Sequence, residues 1–134
     1  MQTQYDLKTG MLSDVSLRPG TTISGGTGAN GISVDLRDTV GPVQAICIHG
    51  LITGTPTSFS HTFQLEESSD ESSWTAMNPR QQANISALDD PAIAKGTRTK
   101  RFARVVVTDN FTGGTSPTSE VCAVIFAQKV HSDS

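Results

Sequence analysis

Most of the chain alternates polar and apolar residues with a period of two. In "FSHTFQLE", Phe59, His61, Phe63 and Leu65 alternate with Ser60, Thr62, Gln64 and Glu66. An extended backbone therefore puts the apolar set on one side and the polar set on the other. "ISVDL" repeats the device, with Ile32, Val34 and Leu36 set against Ser33 and Asp35. Such alternation predicts half-buried β-strands. "MLSDVSL" (11–17) predicts a first strand ended by "RPGTT", and "SWTAM" (73–77) a short strand whose Trp74 is expected to plug the core. "RFARVVVTD" (101–109) and "SEVCAVIFAQKV" (119–130) predict two closing strands, joined as a hairpin through "NFTGGTSPT". No long stretch carries the 3.6-residue period of an amphipathic helix.

Two segments break the alternation by being apolar on both faces. One is "VQAICIHGLI" (43–52). In the other, the last strand, Val121, Ala123, Ile125 and Ala127 share one face while Cys122, Val124, Phe126 and Val130 share the other. A strand in a simple sandwich keeps one face wet, so a doubly apolar strand needs cover. With no amphipathic helix to supply it, the expected cover is a second copy of the chain. Val121, Ala123, Ile125 and Phe126 are the candidate self-association residues.

Seven to eight strands spaced by glycine- and proline-bearing turns predict an all-β fold: a single-domain antiparallel β-sandwich or jelly-roll-like barrel over 1–134. An extended N-terminal arm (1–30) and a short frayed tail (131–134) complete the expectation. The turn chemistry occurs twice, as "TGTPTS" (53–58) and "TGGTSPTS" (112–119). Proline pre-sets φ and glycine supplies a positive φ, so two similar turns are expected. Residues 78–100 are the least regular. There Pro91 and Gly96 limit any helix to a turn near Ser86 to Leu88.

Composition narrows the function. A net charge of -3 argues against a nucleic-acid-gripping protein, and 5% aromatic residues against a stacking platform for bases or sugars. The longest wholly apolar run, "VCAVIFA" (121–127), is far shorter than the roughly 20 residues of a membrane helix. The first ten residues show no basic segment followed by an apolar core, so the expectation is a chain made and used without export. In that setting Cys47 and Cys122, which could form one disulfide, are expected as reduced thiols.

Chemistry is sparse. Cys47 and His49 share a strand face and His61 could lie across from them, but zinc wants four ligands at recognisable spacing. The acidic stretch with Glu66, Glu67, Asp70 and Glu71 lacks the pattern of a calcium loop and reads as a hairpin tip. No nucleophile elbow or cofactor motif is present, so neither an enzyme nor a cofactor is expected. One charge cluster stands out: Lys95, Arg98, Lys100, Arg101 and Arg104 place five of the ten basic residues in a ten-residue window. Such a cluster is either an ordinary solvated surface or a docking patch.

Three separated elements resemble those of a group of small structural proteins of tailed bacteriophages and prophages. Leu65 to Thr75, "LEESSDESSWT", matches a Leu-x-Glu-Ser-x-Asp-x-Ser-Ser-Trp-Thr hairpin. Lys100 to Val107, "KRFARVVV", matches a basic-aromatic strand with Phe102 for the aromatic, and Gly113 to Pro117 matches a Gly-Gly-Thr-Ser-Pro turn. The likeness covers roughly residues 30 to 128, departing at Glu71, where a glycine often stands, and at Cys122 and Phe126. It implies a β-sandwich virion component: a decoration or cement protein, often trimeric, on the outer surface of a capsid assembled in the host cytoplasm. Its partner would be the major capsid protein, with no direct nucleic-acid or membrane partner. Loops 18–31 and 78–100 are the candidates for touching the capsid, with Arg98, Lys100 and Arg101 as the candidate capsid contacts that anchor them. The alternatives are a tail or fibre module recognising a host receptor, and a head-tail connector or minor tail subunit.

Overall fold

A computed structural model describes residues 11–24, 28–86 and 91–129, of residues 79 and 80 the backbone alone. Among these the chain forms thirteen strands and no helix. In order they are β1 (Met11–Ser24), β2 (Ala29–Asn30), β3 (Val34–Asp35), β4 (Thr39–Thr53), β5 (Ser58–Phe59), β6 (His61–Ser68) and β7 (Thr75–Ala76). There follow β8 (Asn78–Gln81), β9 (Ala83–Ile85), β10 (Ala92–Thr97), β11 (Phe102–Thr108), β12 (Phe111–Thr112) and β13 (Thr118–Lys129). Several are bridges of two residues, which is why the count exceeds the seven or eight expected.

Two sheets face each other. Sheet A has the order β1-β13-β4-β10-β8. Sheet B runs β2-β11-β6-β7, with β3 added to β11 and β9 to β6, and a small ribbon pairs β12 with β5. Every pairing is antiparallel. The expected all-β antiparallel sandwich is the observed architecture. Its core interdigitates Val43, Ala45, Cys47, Val121, Ala123 and Ile125 of sheet A with Phe63, Leu65, Ala103, Val105 and Val107 of sheet B, all 2% exposed or less. The small residues Ala45, Ala94, Ala103 and Ala123 let the two layers approach, and Met77 fills the space beneath Gly96.

Four local expectations are corrected. β1 does not end at "RPGTT" but runs through it to Ser24. Between Leu17 and Thr21 the pairing with β13 shifts register, and this bulge absorbs Pro19, which has no N–H to give a ladder. A second shift, at Ser16, turns that hydroxyl toward sheet B, where it donates to Ile32 O at 2.9 Å and accepts from Val105 N at 2.9 Å. Residues 78–100 are not an irregular loop, since they hold β8, β9 and β10; residues 87–90, with most of the expected helical turn, lie outside the described ones.

β11 and β13 are not a hairpin either. They belong to opposite sheets, and the segment between them crosses the end of the sandwich as part of the β5–β12 ribbon. Trp74 is not a core plug. It is half-buried on the outside of sheet B, with the Arg104 guanidinium 4.4 Å above its ring, and the neighbouring Met77 takes the core position.

The repeated turn chemistry has a structural cause: the two copies lock together. Thr115 N donates to Gly54 O at 2.9 Å and Thr57 N to Thr112 O at 2.7 Å. Gly54 (φ 83°) and Gly114 (φ 82°) are in the left-handed region, as are Thr55 (46°) and Ser116 (44°), the residues before Pro56 and Pro117. A β-carbon on Gly54 would lie 2.5 Å from Thr115 O, and one on Gly114 2.5 Å from Gly54 O. Each turn is thus glycine because the other occupies its side-chain space.

Candidate interaction surface

The sandwich has two outer faces, and they differ in chemistry. On sheet B most outward positions are polar and paired with one another, with Trp74, Phe102 and Val106 the half-buried apolar side chains among them. Thr62 Oγ1 donates to Asn84 Oδ1 at 2.8 Å and Gln82 Nε2 to Gln64 Oε1 at 2.6 Å, while Arg104 places two nitrogens 2.8 and 3.0 Å from Glu66 Oε1. Thr62, Gln64, Glu66, Gln82, Val106 and Thr108 line a shallow recess there, of about 210 Å³. This face is dressed for water.

Sheet A's outer face is built the other way. The register puts Val15, Val124, Ile46 and Ile93 in one cross-strand row, because Val15 pairs with Val124, Val124 with Ile46 and Ile46 with Ile93. On one side of it lies the row Ser13, Phe126, Gln44 and Lys95; on the other, Cys122 faces Ile48. Further along, Glu120 lies beside Thr22 and Gly50. Six large apolar side chains in the described residues are exposed, and five of them (Met11, Val40, Ile48, Leu51 and Ile93) stand on sheet A strands. Ile48 and Ile93 are each 47% exposed, at the middle of the face. Exposed apolar side chains grouped on one face make it the candidate interaction surface.

The predicted self-association residues divide accordingly. Val121, Ala123 and Ile125 point inward and are at most 2% exposed, so the chain's own sheet B already covers them and no partner can reach them. Phe126 points outward and remains available. The doubly apolar character of 119–130 therefore has two origins, one facing the core and one facing solvent. The sequence reading missed Val15 and Ile93, which are isolated in their own segments and join the patch only through strand register.

The basic cluster is largely spent within the fold. Arg98 donates to the carbonyls of Thr39 (3.2 Å), Arg37 (3.3 Å) and Lys100 (3.0 Å), which makes it a clamp on the turn before β4 rather than a free anchor. Lys100 Nζ donates to Thr75 Oγ1 at 3.2 Å. Arg101 grips Asp35 with bonds of 2.9 and 3.1 Å, and chiefly through that bond the Asp35 carboxyl is held down to about 2. Lys95 stands apart from them, exposed on the outer face of sheet A.

The acidic stretch is equally structural. Asp70 Oδ1 accepts from Ser68 Oγ, Ser72 N and Ser73 N at 2.9 to 3.0 Å, which closes the turn after β6 and lowers its carboxyl to about 2 through the two backbone bonds first. Glu67, only 4% exposed, accepts from Thr99 N (2.7 Å), Thr99 Oγ1 (2.8 Å) and Lys100 N (3.1 Å) and so ties the β10–β11 connection to β6.

Cys47 and His49 do face the same way, with His61 across from them. Cys47 is in the core, where burial pushes its thiol up to about 12; His49 bonds Ser119 Oγ at 2.6 Å and stacks on His61 at 5.0 Å and Phe59 at 4.7 Å. No group of three or more His, Cys, Asp or Glu side chains among the described residues could hold a metal ion. Both cysteines are free. They sit on adjacent strands but opposite faces, Cys47 inward and Cys122 outward, which excludes a bridge between them.

No family model and no curated protein matches the chain. Among solved structures, the SPBc2 prophage-derived protein YomS is similar with a TM-score of 0.40 and 10% identity, over 87% of this chain and 93% of that one. A protein from the Bacillus endospore appendages, described as a novel family of disulfide-linked pili, is similar with a TM-score of 0.38 and 15% identity, over 89% of this chain and 88% of that one. At such scores neither likeness assigns a role to this chain.

Proposed function

We propose that this chain is a structural component of a phage particle, a capsid decoration protein whose copies associate through the outer face of sheet A. The observation that carries the reading is the contrast between the two outer faces: sheet B is mostly polar, with its polar side chains paired to one another, while sheet A exposes Ile48 and Ile93 beside the half-buried Ile46, Val124 and Phe126. A monomer leaving that surface wet forgoes roughly 25 cal/mol per Å² of apolar area, which assembly recovers. The sequence resemblance to phage head proteins supplies the setting.

With sheet A occupied by sister copies, sheet B and the turns carrying Lys100 and Arg101 remain to meet the shell. Decoration of this kind strengthens a capsid by adding protein contact area across its subunits, and it needs no catalytic group. The test is to add purified protein to undecorated capsids of a tailed phage. Saturable binding at a copy number of the order of the capsid subunits, with a rise in the temperature at which the shell opens, is the expected result. Protein that stays in the supernatant and leaves that temperature unchanged overturns the reading.

A further inference from the structure

The outer face of sheet A carries two charged residues on its inner strands, and their placement identifies the occupant. β4 has no charged outward residue, β13 presents Glu120 and β10 presents Lys95. Lys95 belongs to the row of Phe126, and Glu120 lies six residues further along β13, about 20 Å away at about 3.4 Å per residue. The apolar rows fill the interval. The midpoint between the two charges falls on β4 between Ile46 and Ile48.

We infer that two copies of this chain pack face to face about a two-fold axis passing beside Ile46 and Ile48, with Lys95 of each copy against Glu120 of the other. The inference rests on the self-association proposed above and names its geometry. A two-fold interface must be self-complementary, with each patch meeting its own image. One cation and one anion at opposite ends of an apolar field satisfy that condition, because the rotation that joins the two fields exchanges the ends. The charges then form two rim pairs around a dry centre, the usual layout of a stable interface. A three-fold arrangement, as the resemblance implies, would instead need two different patches meeting on each copy, and the single flat field does not divide that way.

The area is sufficient. β1, β13, β4 and β10 at about 4.8 Å spacing make a face about 19 Å wide, and the twelve residues of β13 run about 40 Å. Because β10 has only six residues and runs about 20 Å, the footprint is about 680 Å² per copy, inside the roughly 600–1,000 Å² that each partner contributes to a standard interface.

Charge reversal tests the pairing. By sedimentation and light scattering at low salt, the wild-type chain is expected as a dimer of twice its 14.2 kDa. Lys95→Glu and Glu120→Lys each create two like-charge contacts and should weaken the dimer roughly ten- to a hundred-fold. An equimolar mixture of the two variants should restore it, because each variant supplies what the other lacks; so should the double variant. Ile48→Asp, at an exposed position, should give a folded monomer. A trimer, or a dimer indifferent to both reversals yet dispersed by Ile48→Asp, overturns the two-fold pairing while leaving self-association through this face intact. A mixture that fails to recover also overturns it. A wild-type monomer overturns both the pairing and the self-association. If that monomer loses capsid binding on Ile48→Asp, the face belongs to the shell.

Discussion

Lowering the pH from about 7.5 to about 5 is expected to cost this protein about 2 kcal/mol of folding stability through one side chain, His61. His61 is fully buried at the ribbon end of the sandwich, stacked on His49 and edge-on to Phe111 with the ring centroids 5.1 Å apart. Neither of its ring nitrogens has a partner at hydrogen-bonding geometry. Burial first, then the neighbouring His49, pushes its pKa from 6.5 down to about 4, against weaker opposing pulls from Asp109 and the Ser60 backbone. The unfolded chain therefore binds a proton that the folded one refuses. Stability is intact above the unfolded value of 6.5, falls as the pH drops through it, and stops falling near the folded value of about 4. The whole shift corresponds to about 3 kcal/mol, of which about two thirds is lost by pH 5. His49, lowered by burial as well, adds to the loss with the same sign.

Urea unfolding at a fixed, low protein concentration measures it. At an m of about 1.5–2 kcal/mol per molar, the midpoint should drop by about 1 M between the two pH values. His61→Phe keeps a ring in the stack and removes the titration. It should lie within about 1 kcal/mol of wild type at neutral pH and lose most of the acid sensitivity. A wild-type midpoint that does not move, or a His61→Phe protein that falls as far as wild type, would refute the reasoning. The window stays above the titration of Asp35 and Asp70, whose carboxyls are held near 2.

Three further outcomes are expected. Gly54→Ala should destabilise the fold by at least about 2 kcal/mol in a denaturation midpoint, because the added methyl meets the opposing turn at 2.5 Å on a backbone of positive φ; Gly113→Ala, which meets the Thr57 side chain at 2.7 Å, should cost less. Glu67→Ala leaves the N–H groups of Thr99 and Lys100 without their acceptor and should cost about 2–4 kcal/mol, with Glu67→Gln recovering part; equal stabilities for the two variants would show that the acceptor is unimportant. In the folded protein a maleimide should label Cys122 slowly and Cys47 not at all, since burial raises both thiols and Cys47 lies wholly inside; mass spectrometry of the labelled peptides reads the ratio, and rapid labelling of Cys47 would contradict the packing.

Strand identity and inward face were legible in most places where one side of a strand meets the core and the other meets water, although the expected strand at 32–36 shrinks to Val34–Asp35 and leaves Ile32 exposed. Phe63, Leu65, Val34, Leu36 and the 121–127 series all lie as the period-two pattern predicts, because side-chain direction along an extended chain is set by parity alone. The doubly apolar last strand was legible too, and the half of it that faces outward is now the candidate surface. Partner choice was not. Whether β11 pairs with β13 or crosses to the other sheet depends on contacts between residues distant in sequence, and nothing local in "NFTGGTSPT" distinguishes a hairpin from a crossing. Tertiary structure alone likewise decided that Val15, Val124, Ile46 and Ile93 form one row, that Arg98 clamps a turn, and that the twin turns leave each other no room for a side chain. Parity is a property of one strand, whereas register, sheet order and burial are properties of several strands at once, fixed only when the two layers close on a common core.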